Sequence, residues 1–380
     1  MSIIKNMQPI TAEARKILNS IPIIIDKAVP IPGRFRGALP SNVAELSRLL
    51  TGERGERSLS YLTRPNFLSA YLRYFLPWNL YRLCFLLPSL DIKLSPGDTI
   101  VDLGSGPLTF VLALWICRPD LRKMPLEFHC IDRSAAALEA GKKIFSGLVN
   151  ADSVWKIKLI KDDIDTRKPP SKGCNAKLVC AINLFNEIYE KLPHNNTAGL
   201  QRMAANIANF LHGHTAANGL ILTVEPGVPQ SGYFISFLRS AFLELNRQLL
   251  SPCLHTTACP MSGGKKRWCH FSFEVPEIPK ELYRISAAAK LPKDRLVLSY
   301  LFAGEANRSY QHNQEQMRVI SDAFTLPNNR YGRYCCSDKG LVLMAGEKNR
   351  INKITSGSLA VPIYHEMRDE KSSALIAEVL

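Results

Sequence analysis

No stretch of this chain is apolar for long enough to cross a bilayer. The nearest candidate, Phe75 to Leu90, is broken by Pro77, Arg82 and Pro88, and a spanning helix needs about 20 apolar residues. A membrane partner is therefore not expected. The opening residues, Met1-Ser2-Ile3-Ile4-Lys5, lack the apolar centre and small-residue cleavage site of a secretory leader. A reducing, cytoplasmic location is the expectation. Low-complexity tracts and internal repeats are missing too, which argues against a disordered tail protein or a solenoid. Acid is scarce beside base: 33 Asp and Glu stand against 48 Lys and Arg, a net charge of +15. Such an excess usually serves a polyanion. General solubility or attraction to an anionic membrane surface are the plainer alternatives.

What is present suits a globular protein. The 380 residues are 46% apolar, enough for one large domain with additions or for two domains. The first 60 residues hold two weak helical patterns around Pro30-Ile31-Pro32-Gly33. Residues 61–90 interleave Tyr61, Phe67, Tyr71, Tyr74, Phe75, Trp78 and Tyr81 with Arg64, Arg73 and Arg82. Such a mixture can stack on bases and contact phosphates. The apolar spacing is helical, however, so a helical cap with arginines at its rim is favoured. From about residue 98 short apolar runs alternate with helix-like stretches: Thr99–Leu103, Glu127–Ile131, Trp155–Ile160, Leu178–Ile182 and Leu220–Val224. Alternation of this kind implies βαβ units and a parallel sheet. Leu296–Phe302 and Leu341–Met344 are expected to finish that sheet.

One turn stands out. The strand Thr99–Leu103 runs into Gly104-Ser105-Gly106, and a helix begins at Thr109. Glycines there let the backbone approach a ligand where a Cβ would clash. Asp132 ends the next strand, where a carboxylate can accept hydrogen bonds from ribose hydroxyls. Asp162-Asp163 follows the third strand, near where an adenine would lie. These residues resemble the S-adenosylmethionine methyltransferases, whose first motif is an acid followed by a GxGxG-like turn. In this chain Leu108, after Pro107, stands in place of the third glycine. The expected fold class is α/β, a Rossmann-like class I methyltransferase sheet with an N-terminal helical region and a cysteine-rich insertion. The expected division is a helical region (1–97), a cofactor-binding core (98–250), a cysteine-rich metal-cluster loop (251–278), a C-terminal part of the sheet (279–348) and a tail (349–380). Asp102, Gly104, Gly106, Asp132, Asp163 and Asn183 are the candidate contacts to S-adenosyl-L-methionine; a turn with an empty pocket is the alternative.

Chemistry is harder to find. The fourth strand ends in Asn183-Leu184-Phe185-Asn186-Glu187. Amino-methylating enzymes of this fold usually carry Asn/Asp-Pro-Pro-aromatic there, and it is missing. A thiol nucleophile near that strand is missing as well, since the one Pro-Cys pair is Pro252-Cys253. Asn183 and Asn186 could bond a target base or merely cap a helix. No catalytic residue can be named.

Ten cysteines occur, and three of them, Cys253, Cys259 and Cys269, fall in one loop broken by Pro and Gly. In a reducing compartment a cluster suggests metal before disulfide. The gaps of five and nine residues are wider than the close pairs of zinc sites. Four thiolates hold either one zinc or a 4Fe-4S cluster, and the wide gaps favour the cluster. The segment Cys253-Leu254-His255, with Cys259-Pro260 and then Trp268-Cys269-His270-Phe271-Ser272-Phe273, resembles the methyltransferase-like proteins of the small ribosomal subunit of mitochondria and bacteria. Val224-Glu225-Pro226-Gly227-Val228-Pro229 and Arg239 match too, and the resemblance spans roughly residues 60–345.

The resemblance implies binding of small-subunit ribosomal RNA during ribosome assembly, and an iron–sulfur site whose first three ligands are Cys253, Cys259 and Cys269. The relatives' fourth ligand lies in the last strand, here Gly340–Met344, which has no cysteine. Cys335 or Cys336 must substitute. Neighbours in an extended segment point to opposite sides, and Cys336 is chosen, leaving Cys335 to the core. Lys265, Lys266, Arg267, Arg330 and Arg333 flank these loops and are the expected RNA contacts. A monomeric assembly factor is expected, with an active ribosomal RNA methyltransferase as the alternative.

Overall fold

The computed structural model describes residues 3–5, 9–31, 33–51, 61–149, 153–168, 175–189, 196–261, 267–305 and 316–378. Strand β1 (Ile3–Lys5) opens the chain and belongs to a sheet completed only at the other end. The main sheet follows: β2 (Thr99–Leu103), β3 (Glu127–Asp132), β4 (Lys156–Lys161), β5 (Ala176–Ile182), β6 (Thr215–Pro226), β7 (Gln248–Ser251), β8 (Phe271–Glu274) and β9 (Arg295–Gly304). Its order is β4-β3-β2-β5-β6-β9-β7, with β8 also on β9. Strands β2 to β6 are parallel, and β9 runs antiparallel between β6 and β7. This is the doubly wound methyltransferase arrangement that the alternating pattern predicted. The order reverses at β2, so the carboxyl ends of β2 and β5 open a crevice.

Strand β2 shows why the sheet is buried on both faces. Ile100 enters the core on one side and Val101 and Leu103 the core on the other, as alternation in a strand requires. One face carries the helices Thr197–His214 and Pro229–Glu244. The other carries Thr109–Cys117 and Ala135–Val149. Every residue of Thr109–Cys117 except Trp115 is buried, so this helix has no wet face. The N-terminal helices Ala12–Ala28 and Leu76–Leu86 cover it. Phe67, Tyr74, Trp78 and Tyr81 are at most 1% exposed, so the aromatic segment is the helical cap. Among the described residues no helix is long and apolar enough to cross a membrane.

Leu341–Met344 does not close the main sheet. It lies in β13 (Gly340–Gly346) of a second sheet with β10 (Met317–Val319), β11 (Phe324–Thr325), β12 (Tyr331–Ser337), β14 (Leu359–Ala360), β15 (Ile363–Arg368) and β16 (Leu375–Glu378). The order is β1-β14-β10-β12-β13-β16-β15, with β11 on β12. The hairpin β12–β13 pairs Ser337 with Gly340 across a tight turn, and Gly340 at φ 98° supplies its left-handed residue. The turn binds β13 to its sequence neighbour and not to β9. The expected C-terminal part of the sheet (279–348) thus contributes only β9 to the main sheet, and the expected tail (349–380) supplies three strands. Those strands are short, and β15 is mostly exposed, so no apolar alternation announces them.

Candidate functional site

The crevice is lined by Gly104 and Gly106 after β2, Asp132 and Ser134 after β3, Asp162 after β4, and Asn183 and Leu184 after β5. Gly104 sits at φ +67°, and a Cβ there would stand 2.7 Å from Leu184 Cδ1. Gly106, at φ +52°, has open space where its Cβ would be, so that side is available to a ligand. The Gly106 amide donates to Asp132 Oδ2 at 2.9 Å and the Ser134 amide to Oδ1 at 2.8 Å. Burial raises the Asp132 carboxyl while these two amides pull it down. Asn183 adopts φ +54°, which asparagine tolerates, and its amide donates to Val224 O at 2.7 Å.

Two sequence candidates stand apart from the crevice. Asp102 is 1% exposed and braces the turn from behind, accepting from Ser105 Oγ at 2.5 Å and Cys180 Sγ at 3.4 Å. Burial pushes its carboxyl up to about 7. Asp163 is exposed and pairs with Arg133 at 3.5 Å; Asp162 takes the place in the crevice. Leu108, which stands in place of the third glycine, is fully buried in the core. It holds φ 57°, which costs a non-glycine residue about 1–2 kcal/mol; burying a leucine stabilises by roughly 1.5–3 kcal/mol, and the burial wins. Gly141 makes this possible, because a Cβ there would lie 2.4 Å from the Pro107 carbonyl carbon and 2.7 Å from Leu108 Cγ.

The segment where catalytic groups would stand is pinned. Glu225, fully buried, accepts from the Phe185 amide at 2.8 Å through Oε1 and from the Asn186 amide at 3.0 Å through Oε2. The cap closes above: Tyr61, Leu62 and Tyr71 line the crevice, and Tyr61 Oη donates to Glu187 Oε1 at 3.2 Å. About 60 Å³ remains open, against the 300–1,000 Å³ usual for a ligand pocket. The turn chemistry fits S-adenosylmethionine, with a carboxylate for ribose and room at Gly106. The cap must part to admit it.

The cysteines gather at another place. Cys253 follows β7, Cys269 precedes β8, and Cys336 lies on β12. Burial pushes the Cys269 and Cys336 thiols well up, and Cys253 and Cys259 are electrostatic neighbours of both. Arg318 opposes the rise at Cys269, and Arg239 at Cys336. Cys335 points the other way, fully buried in the core of the second sheet. His255 Nε2 meets Cys336 Sγ at 3.2 Å. Thr257 Oγ1 donates to Asp338 O at 3.2 Å and contacts His255 Nδ1 at 2.8 Å. A hydroxyl has one proton to give, so this network assigns the imidazole proton to Nδ1 and leaves Nε2 to accept from the thiol.

Four thiols beside two guanidinium groups are a donor set and charge balance that suit an anionic thiolate cluster. Among the described residues no group of three or more His, Cys, Asp or Glu is placed to hold a metal ion. The loop itself is fastened from several sides. Arg239 Nη2 donates to His255 O at 2.7 Å and Thr257 O at 2.9 Å. Ser299 Oγ donates to Cys269 O at 2.8 Å, and Arg318 Nε to Pro252 O at 2.6 Å. Trp268 Nε1 donates to Gly227 O at 3.0 Å, and a Cβ on Gly232 would come within 2.8 Å of Trp268.

Residues 93–343, about two thirds of the chain, match the family described as mitochondrial small ribosomal subunit Rsm22. The chain belongs to this family. Among solved structures it is similar to phosphoethanolamine N-methyltransferase 2 of Haemonchus contortus in complex with S-adenosyl-L-methionine, at 11% identity and a TM-score of 0.38, over 67% of this chain and 61% of that one. Another is magnesium protoporphyrin IX methyltransferase of Synechocystis, at 8% identity and a TM-score of 0.35, over 70% and 99%. A third is a 16S rRNA (adenine(1408)-N(1))-methyltransferase of Catenulisporales acidiphilia, at 12% and 0.33, over 57% and 88%. Likenesses this distant say nothing of what this chain binds. Among curated proteins none matches.

For a member of the Rsm22 family the expected basic surface needs correction. Arg333 is 7% exposed and donates to Ile351 O at 3.0 Å and Ser321 O at 2.9 Å. Arg330 pairs with Glu378, and Arg267 Nη1 donates to Ser372 O at 2.8 Å. Arg333 thereby ties the segment before β11 to the helix Lys348–Ile351, while Arg330 and Arg267 keep exposed side chains. Lys265 and Lys266 lie outside the described residues. Arg73 is buried on Asp26 and Val29 O. Glu225, Gly141, His255 and Trp268 carry the site without having been singled out for it; Glu225 was visible only as part of the Glu-Pro-Gly run.

Proposed function

We propose that this chain binds small-subunit ribosomal RNA during ribosome assembly, on a methyltransferase scaffold whose cofactor serves structure more than turnover. The family match supports the partner. The observation that carries the preference over an active enzyme is Glu225, which takes both amides of the Phe185-Asn186 turn and fixes the would-be catalytic segment as a structural corner. Gly104, Gly106, Asp132, Asp162 and Asn183 would hold S-adenosylmethionine. When bound it supplies an electrophilic methyl group; the residues themselves orient it and exclude water. Cys253, Cys259, Cys269 and Cys336 are the ligand set for a 4Fe-4S cluster, or for one zinc ion, joining the loop after β7 to β12.

The test offers tritiated S-adenosylmethionine with naked and with partly assembled small-subunit RNA. Binding without label transfer is the expected result. Transfer to either RNA, lost in Glu187→Gln, would establish the methyltransferase reading, which the presence of Glu187 and Tyr71 in the crevice favours.

A further inference from the structure

Arg82 is a half-buried cation that forms no ion pair among the described residues. It lies on the helix Leu76–Leu86, and Nη1 donates to Asn79 Oδ1 at 2.6 Å. Its Nε is buried with no hydrogen-bond partner among the described residues. Burial lowers the guanidinium, and its electrostatic neighbours are the phenols Tyr74 and Tyr71. A second cation stands beside it. Lys293 Nζ lies 5.7 Å from the centre of the Tyr74 ring, and burial with Arg82 brings the ammonium down to about 8. Two cations withdrawn from water are unfavourable until an anion joins them. Tyr71 links the pair to the crevice: it is hydrogen-bonded to Asn79 and lines the opening with Gly104 and Asp132.

An exposed path leads to the pair. On the helix Lys280–Ala288 the residues Lys280, Glu281, Tyr283, Arg284, Ala287 and Ala288 face solvent, followed by Lys290, so Glu281 is the single acid among three exposed cations. Tyr283 is 66% exposed, an aromatic with no packing role. The opposite face, Leu282 and Ile285, is buried where the helix packs on the Tyr71–Phe75 turn and the helix Leu39–Thr51. Tyr74 Oη donates to Leu291 O at 2.8 Å, which fixes the chain between Lys290 and Lys293. Tyr283 stands five residues, about 8 Å of helix, before the helix end at Ala288, and five further residues lead to Lys293, so the tyrosine and the cation pair are within the reach of a few nucleotides.

We propose that single-stranded RNA enters along this face. Tyr283 stacks a base, Arg284 and Lys290 follow the backbone, and Arg82 with Lys293 takes the phosphate of the nucleotide presented to the crevice. Stacking interleaved with cations is how unpaired strands are held, and the charge is complementary. The path deepens the RNA-binding reading above and rests on it.

The full chain is titrated with a short labelled oligouridine across a salt series, and separately with S-adenosylmethionine. Tyr283→Ala is expected to weaken RNA binding about 5- to 100-fold, the range for one stacked base. Lys293→Met should reduce the steepness of the salt dependence by about 0.7, one phosphate contact, and Arg82→Lys should keep most of the affinity. Tyr283 and Arg284 are exposed, so Tyr283→Ala and Arg284→Glu are read at unchanged Tm. If the wild type binds RNA and these two variants bind equally well, this path is wrong while the RNA reading stands. If the wild type binds neither oligouridine nor partly assembled small-subunit RNA, the RNA reading itself fails. If Lys293→Met weakens S-adenosylmethionine more than RNA, the cations serve the cofactor's carboxylate and the proposal is overturned.

Discussion

Burial holds the Asp102 carboxyl up to about 7, and an unfolded aspartate titrates near 3.9. The folded state therefore keeps the proton more tightly. Stability from this group is fully present below about 4 and is lost as pH rises toward 7, after which it is flat. The difference corresponds to on the order of 4 kcal/mol at most. Asp102→Asn should flatten unfolding free energy between those limits and leave the variant more stable than the wild type at pH 8; parallel curves for the two proteins would show that Asp102 does not titrate in this range. Gly104→Ala tests the turn from the other side. Its φ of +67° and the 2.7 Å approach to Leu184 should together cost about 1–3 kcal/mol and abolish cofactor binding by calorimetry. Leu108→Gly, which restores the third glycine of the motif, should lower Tm without tightening binding, because Leu108 fills the core behind the turn.

At the scale of elements, one half-buried indole is among the groups that dock the cysteine loop. Trp268→Ala removes the bond to Gly227 and the packing on Gly232, and a loss of about 1–3 kcal/mol is expected, read as a lower denaturant midpoint. A change under about 1 kcal/mol would mean that Arg239 and Ser299 hold the loop unaided. What was legible in the sequence follows the same scale. Strands β2, β5 and β6 announced themselves because both faces are buried over most of their length, and β3 by its alternation, with Phe128 and Cys130 inward. The glycine turn and Asp132 were legible because backbone approach and strand ends leave fixed residue types. The second sheet was not, since β10, β14 and β16 have two to four residues and are held by arginine-to-carbonyl bonds such as Arg318 to Gly357 O at 2.8 Å. Arg330 and Arg333 looked like nucleic-acid contacts for that reason: a sequence does not say whether a guanidinium meets a phosphate or a carbonyl.

Across the whole molecule the four cysteines come from both sheets, three from the loop between β7 and β8 and one from β12. Metal binding there would be folding energy for both sheets. Anaerobic purification should give a brown protein whose colour and Tm both fall in Cys259→Ser, while a colourless protein with one zinc per chain would assign the site to zinc. The strand β1 makes a different connection. Ile3 and Lys5 pair with Ala360 and Leu359, so this strand has no partner until about 350 further residues have been made. At roughly 5–20 residues per second of synthesis, that wait is on the order of 20–70 s. By about the middle of that interval the segments that line the crevice, residues 61–187, have been made, whereas β9 and the second sheet must wait. The order of manufacture thus makes the crevice an early product of each chain and the meeting of Cys336 with the other cysteines a late one.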